Sequence, residues 1–226
     1  MQVFPDDKDR FDDLEKQATA IRYQVRLAEF SEAEAAVEAA ILSGKKVLYV
    51  VNTVDRCQKA AAVFAGRFPG QVECFHSRYR LIDRRTRHRQ VIDRFQDEAS
   101  RGFVLIATQV CEMSLDLDAD VLVTEAAPVP SLIQRMGRCC REPIPPPGRI
   151  GQVLVCRPIK ELPYDVAEID QGIEFAAYLS KTGGNSQADL AQYIAKLDVK
   201  DPLFAGGFAG FLDSKWYANA REDSFR

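Results

Sequence analysis

The chain has 226 residues, 46% hydrophobic and 28% charged, a balance that suits one folded domain of ordinary size with an appendage and excludes a disordered chain. A net charge of −3 excludes a generally basic nucleic-acid binder, so any such surface must be local. No apolar run approaches about 20 residues and the start, MQVFPDDKDR, lacks a signal-peptide core, so no membrane partner is expected and the expected location is cytoplasmic.

In chain order, residues 1–18 are charge-rich and read as a linker or frayed helix. Ile21, Tyr23, Val25 and Leu27 alternate with Arg22, Gln24 and Arg26, the period of a half-buried strand. Ser31 with Glu34 predicts a capping box for an Ala-rich helix running to about Leu42 and closed by Gly44. Val47–Val51 is a buried strand, Val54 to about Phe68 a helix, and Val72–Phe75 another strand. A helix from about Leu81 to Phe95 turns Val91, Ile92 and Phe95 inward. It shares with the preceding loop the one strong basic concentration, Arg78, Arg80, Arg84, Arg85, Arg87 and Arg89. That run suits either a solvated face or phosphate tracking, with Tyr79 available to stack on a base. His76, at a strand end, reads as structural or as a backbone contact.

Phe103–Ala107 follows as a buried strand, then a loop dense in Glu112, Ser114, Asp116, Asp118 and Asp120, then the strand Val121–Thr124. Pro128 and Pro130 end that strand, and Ser131 can cap a short helix carrying Gln134, Arg138 and Arg141 on one face. Forked guanidiniums at spacing three suit phosphate oxygens. Thr108 and Asp116 fall where open α/β sheets place ligands, beyond a strand's carboxyl end. A stiff Pro-rich loop, Glu142–Gly148, precedes the strand Gln152–Cys156 and helices near Asp165–Ser180 and Gln187–Leu197. The tail Phe204–Phe225 is rich in Gly and aromatics, with Phe204, Phe208, Phe211, Trp216 and Tyr217 either packing or forming a stacking platform; it reads as cut from a longer protein. The six cysteines show no CxxC and read as reduced thiols, so no metal site is expected. Strand–helix alternation predicts a mainly parallel sheet covered on both faces.

Gln134, Gly137, Arg138 and Arg141 spell QxxGRxxR, and they follow ATQVxExSLDxDxDVLxTExAP. Together these resemble motifs V and VI of a superfamily 2 helicase, in the wording of the CRISPR-associated helicase–nuclease family. VLYVVNTVDRCQ (Val47–Gln58) resembles that family's motif IV, and FHSRYRLIDR (Phe75–Arg84) its His-Ser-Arg element. The likeness is strong over Lys46–Arg141 and weak in the tail.

The resemblance implies an α/β, three-layer second RecA-like domain over 19–160, followed by a C-terminal helical extension over 161–226. It implies that Arg138 and Arg141 reach phosphates across a shared cleft as catalytic arginines, with Gln134 orienting water or a phosphate oxygen. Asp116 would meet the ATP ribose or join Arg138, beside Ser114 and Gly137, whose missing side chain admits phosphate. Arg135, outside the motif, is the comparison position. Asn52, Thr53, Thr108 and Gln109 are either turn formers and helix caps or, with Arg78, contacts to the backbone of single-stranded DNA. The family's GxxxxGK[ST] and DExx elements, which hold ATP and Mg2+ in the first RecA-like domain, are not in this sequence. Gly44–Lys45–Lys46 and Asp97–Glu98 precede strands instead of following them. The expected partners are single-stranded DNA, a first RecA-like domain and a nuclease domain (in the same protein or a companion chain), and a CRISPR surveillance complex. The chain alone is expected to be inactive. The other reading is a free-standing docking or nucleic-acid-binding module, against which the paired arginines argue.

Overall fold

The computed structural model describes residues 8–79, 81–97 and 102–198, so the aromatic tail and Arg80 lie outside the described residues. Six strands form one sheet in the order β1-β6-β5-β2-β4-β3. They are β1 (Tyr23–Leu27), β2 (Lys46–Val50), β3 (Val72–Phe75), β4 (Phe103–Ala107), β5 (Val121–Glu125) and β6 (Gly151–Cys156). Every pairing is parallel, with Val50 opposite Ala107 and Val47 opposite Val121. β4 and β5 are buried at all five positions, as continuous apolar runs require when both faces are covered.

The period of two sorts these side chains into two cores. Val47, Tyr49, Val104, Ile106, Val121 and Val123 face α2 (Phe30–Leu42) and α3 (Val54–Arg67), where Tyr49 meets the edge of Phe64. On the other face, Val25, Thr124, Val153 and Val155 meet α6 (Val129–Met136) and α7 (Val166–Leu179) through Leu132, Met136, Phe175 and Leu179. α4 (Leu81–Gln96) closes the β3 end by setting Phe95 edge-on to Phe103, with ring centroids 4.9 Å apart. This is the three-layer α/β architecture expected, with a sheet that is wholly parallel.

Three local expectations change. The capping box of α2 is built by Glu29 and Glu32, not by Ser31 and Glu34, because the helix starts early enough to seat Phe30 against the core. Gly44, at φ 77°, still closes it. A short helix, α5 (Val110–Ser114), replaces the first part of the acidic loop. α6 starts directly after Pro128, so Ser131 lies inside it and does not cap it.

The charge-rich start forms α1 (Lys8–Thr19). The chain divides into two compact units, residues 1–187 and 188–226. The first takes in α7. α8 (Gln187–Asp198) is the described element of the second. Among the described residues, no helix is long and apolar enough to cross a membrane.

α7 crosses the turn after β5 so closely that a Cβ on Gly172 would collide with the Ala127 carbonyl. Gly172→Ala should therefore lower stability by about 1–3 kcal/mol. Gly66→Ala in α3, where an added Cβ meets nothing, should raise it by up to about 1 kcal/mol. Thermal melts of the two variants beside the parent check the contrast, and equal effects would mean the α7 crossing yields at no cost.

Candidate functional site

Because all strands run one way, the residues after β2, β4 and β5 share the carboxyl edge of the sheet, where peptide dipoles and turns gather polar groups. Asn52, Thr53, Thr108 and Gln109 are all there. Thr53 caps α3, its hydroxyl accepting from the Arg56 amide at 3.4 Å. Gln109 Nε2 donates to the Asn52 carbonyl at 2.9 Å, which ties the loops after β2 and β4 together. Both side chains stay partly exposed. Asn52 and Thr108 are each 3% exposed. Asn52 donates through Nδ2 to the Ala126 carbonyl at 2.8 Å, and its Oδ1 accepts from Arg135 at 3.2 Å. That amide is committed inward, which turns the expected phosphate contact at Asn52 into an internal one.

Arg135 is the residue that sequence reasoning missed. Expected as an unremarkable neighbour of the motif, it is fully buried. Its Nε donates to Glu112 Oε1 at 2.8 Å. Its Nη1 donates to Thr124 Oγ1 at 2.9 Å, to the Glu125 carbonyl at 3.0 Å and to Asn52, and its Nη2 reaches the Tyr164 hydroxyl at 3.4 Å. Burial pulls the guanidinium pKa down most, but Glu112, Tyr164 and Cys111 together outweigh it and the net shift is upward, so the group stays charged. The signal was available in the pattern: Val129, Leu132 and Met136 set the inward face of α6, and Arg135 lies on it.

Arg138 and Arg141 do not lie on one helical face, because α6 ends at Met136. Gly137 caps it at φ −62°, a conformation open to any residue, so its glycine serves space and not a left-handed turn. Gln134 is half-buried in the last turn. Arg138 follows in a tight turn, its Nη2 donating to the Glu112 carbonyl at 2.6 Å while its Nε is buried with no partner among the described residues. Beyond it, Cys140 takes a left-handed φ of 46°. Arg22 holds that turn by donating through Nε and Nη2 to the Cys140 carbonyl at 3.1 and 2.9 Å. The Arg141 amide donates to Asp118 Oδ1 at 2.9 Å, and its guanidinium pairs with the Asp116 carboxylate.

Asp116 is therefore not at the strand's carboxyl end. α5, ending at Ser114, turns the chain toward the opposite edge, where Asp120 accepts from the Lys46 amide at the start of β2. Asp116 also meets Arg141 and not Arg138.

Arg78 is exposed beside an ordered stack. The buried His76 ring lies parallel to Tyr79 at 4.2 Å, and the Arg87 guanidinium sits 4.5 Å from the Tyr79 centroid. Both ring faces of Tyr79 are thus taken, which removes it as a base platform. Burial, then Arg78 and Arg87, lower the His76 pKa. Five of the six cysteines are buried and all are free. Among the described residues, no group of three or more His, Cys, Asp or Glu could hold a metal ion.

Residues 43–144 match the family described as CRISPR-associated nuclease/helicase Cas3, C-terminal. This segment belongs to the Cas3 C-terminal family. The chain is 44% identical over 155 residues to a CRISPR-associated nuclease/helicase Cas3 of Myxococcus xanthus, covering 68% of this chain and 19% of that protein. It is 39% identical over 107 residues to the endonuclease/helicase Cas3 of Escherichia coli, covering 46% of this chain and 12% of the other. It thus spans about a fifth or less of these Cas3 relatives. A crystal structure of T. fusca Cas3 with ADP superposes over 90% of this chain and 27% of its own, with TM-score 0.66 and 22% identity, which shows the shared fold.

Within the Cas3 segment, Glu125 is fully buried, paired with Arg56 at 2.5 Å, and its Oε1 has no partner among the described residues. Burial raises its pKa against the opposing pull of the Asn52 amide and Arg56. An acid raised on folding holds its proton more tightly in the folded chain. Its contribution is therefore full below the ordinary value of about 4.3 and is lost as pH rises through the folded value. Glu125→Gln, which cannot ionise, should flatten the decline of melting temperature as pH rises above about 4.3. Melting series across that range check it, and parallel slopes would show that Arg56 compensates the carboxylate fully.

Proposed function

We propose that this chain is the second RecA-like half of an ATP-dependent DNA helicase of CRISPR interference. It supplies motifs IV to VI to a cleft shared with a first RecA-like domain. ATP and Mg2+ are held mainly by that other domain. The observation that supports this reading is Arg138, tethered by one guanidinium nitrogen to the Glu112 carbonyl and carrying a buried donor without a partner among the described residues. A buried unsatisfied donor is costly unless a ligand meets it, and a phosphate oxygen is the acceptor its charge suits. Arg141 stands exposed beside Asp116, where a nucleotide could exchange the aspartate for phosphate or use it at the ribose. Gln134 and Gly137 flank the same turn, and Ser114 ends the helix whose carbonyl holds Arg138. ATP hydrolysis here would be positioning and charge neutralisation at the transferring phosphoryl group, the role of an arginine finger.

Thr53, Gln109 and the exposed Arg78 form the single-stranded DNA track at the carboxyl edge, with Asn52 and Thr108 shaping it from beneath. Such contacts grip phosphates without reading sequence. In the whole protein the motion would serve a nuclease domain after recruitment by a CRISPR surveillance complex, as the Cas3 kinship suggests.

In the complete protein, Arg138→Ala should lower DNA-stimulated ATP turnover by about three or more orders of magnitude with little change in ATP affinity. Arg141→Ala should also lower it. Arg157→Ala, which breaks an exposed pair with Asp170, should leave turnover unaffected. Steady-state turnover with melting temperatures checks all three, and equal mild losses would reduce the motif to a structural turn. The present chain by itself should show no DNA-stimulated turnover, and sustained hydrolysis by it would overturn the shared-cleft reading.

A further inference from the structure

We infer that Arg135 is the positioning residue that couples the strand-contacting loops to Arg138, an inference that rests on the shared-cleft reading above. Five bonds on one buried guanidinium join four separate segments: Asn52 after β2, Glu112 in α5, Thr124 and Glu125 at the end of β5, and Tyr164 before α7. One of these segments leads outward to the proposed DNA track. Asn52 is held on its one side by Arg135, and its carbonyl accepts Gln109 on the other. A second leads to the finger, for Glu112 receives Arg135 through its carboxylate and Arg138 through its carbonyl. Arg135 and Arg138 therefore grip the same residue from two sides, and α5 is too short, at five residues, to move one end without the other.

A guanidinium suits this place because its five donors lie in a rigid planar fork, so displacement of one acceptor is felt at the others. Lysine would keep the charge and lose the fork. Phosphate contact at Gln109 or Thr53 would shift the Asn52 loop, and the shift would reach Glu112 and the Arg138 tether through one buried group.

The test is a double-substitution cycle in the complete protein, with Arg135→Lys, Arg138→Lys and the pair, reading ATP kcat and KM with and without single-stranded DNA. Arg135→Lys alone should lower DNA-stimulated kcat about tenfold with KM for ATP within about twofold, and this loss should vanish in the Arg138→Lys background. A purely structural Arg135 would give losses that multiply, and that result overturns the coupling. Unchanged stimulation in Arg135→Lys overturns it equally. Where Arg135→Lys lowers the melting temperature, Asn52→Ala, which cuts the link from the loop after β2 and leaves the Arg135–Glu112 pair in place, carries the same cycle with the same outcomes. If Arg138→Lys alone leaves turnover unaffected, the reading of Arg138 fails and the coupling falls with it; if Arg138→Lys is impaired but the cycle is additive, only the coupling fails.

Discussion

A charge buried without a partner costs several kcal/mol, and the interior of this domain contains one charge that every neighbouring element must answer. Arg135 is the largest fully buried side chain of the described residues, and Glu112 sits 2.8 Å from it with 2% of its side chain exposed. Removing either member would strand the other at a cost of about 3–5 kcal/mol. The remaining donors need acceptors as well, so the end of β5, the loop after β2 and Tyr164 are drawn to one point. The local order of the carboxyl edge follows from satisfying this single guanidinium, while the hydrophobic layers supply the bulk of the stability.

The parallel sheet gives that point its geometry. Strands that all run one way deliver their following loops to one edge, while the elements returning the chain must cross to the other. α5 and α6 are two such crossings, and they lie side by side. Glu112 on one and Arg135 on the other lock them together near the carboxyl edge. Their far ends emerge as the Asp116–Asp120 segment and the Arg138–Arg141 turn, joined by the Ala119–Cys139 bridge and by Asp118 to the Arg141 amide. A polar lock at one end and a short parallel bridge at the other make the pair a strut between two surfaces.

Each surface has a distinct chemical character. At the carboxyl edge, partly exposed Thr53 and Gln109 offer a hydroxyl and an amide, next to a β3 end where His76, Tyr79 and Arg87 stack. That stack spends the aromatic face inside the protein and leaves Arg78 exposed beside it. On the other side, among the described residues, Arg138 keeps an unanswered donor and the Arg141 guanidinium pairs with an exposed aspartate. Exposed pairs of this kind are worth about 1 kcal/mol or less, so this one yields readily to another acceptor.

By itself the sequence determined the layered parallel fold, because runs such as Phe103–Ala107 are apolar on both faces and only a doubly covered strand accommodates that. It also carried the likeness to the Cas3 C-terminal family that residues 43–144 match, because ordered residue patterns survive without any knowledge of contacts. Spacing, however, describes one element at a time. It placed Arg138 and Arg141 on a helix that in fact ends at Met136, since nothing local announces that the turn at Cys140 will be held by Arg22, just before the first strand. Charge reads as exposure when burial is unknown, so Arg135 looked like a surface residue and Glu112 like one acid among several. Asn52 and Asp116 were misplaced for the same reason: one is drawn inward by a distant arginine, the other carried away by a five-residue helix. Only the tertiary structure could decide these, because a buried ion pair is favourable solely when both partners and all their remaining donors meet, and those partners lie 23 residues or more apart in the chain for Glu112 and 83 for Asn52.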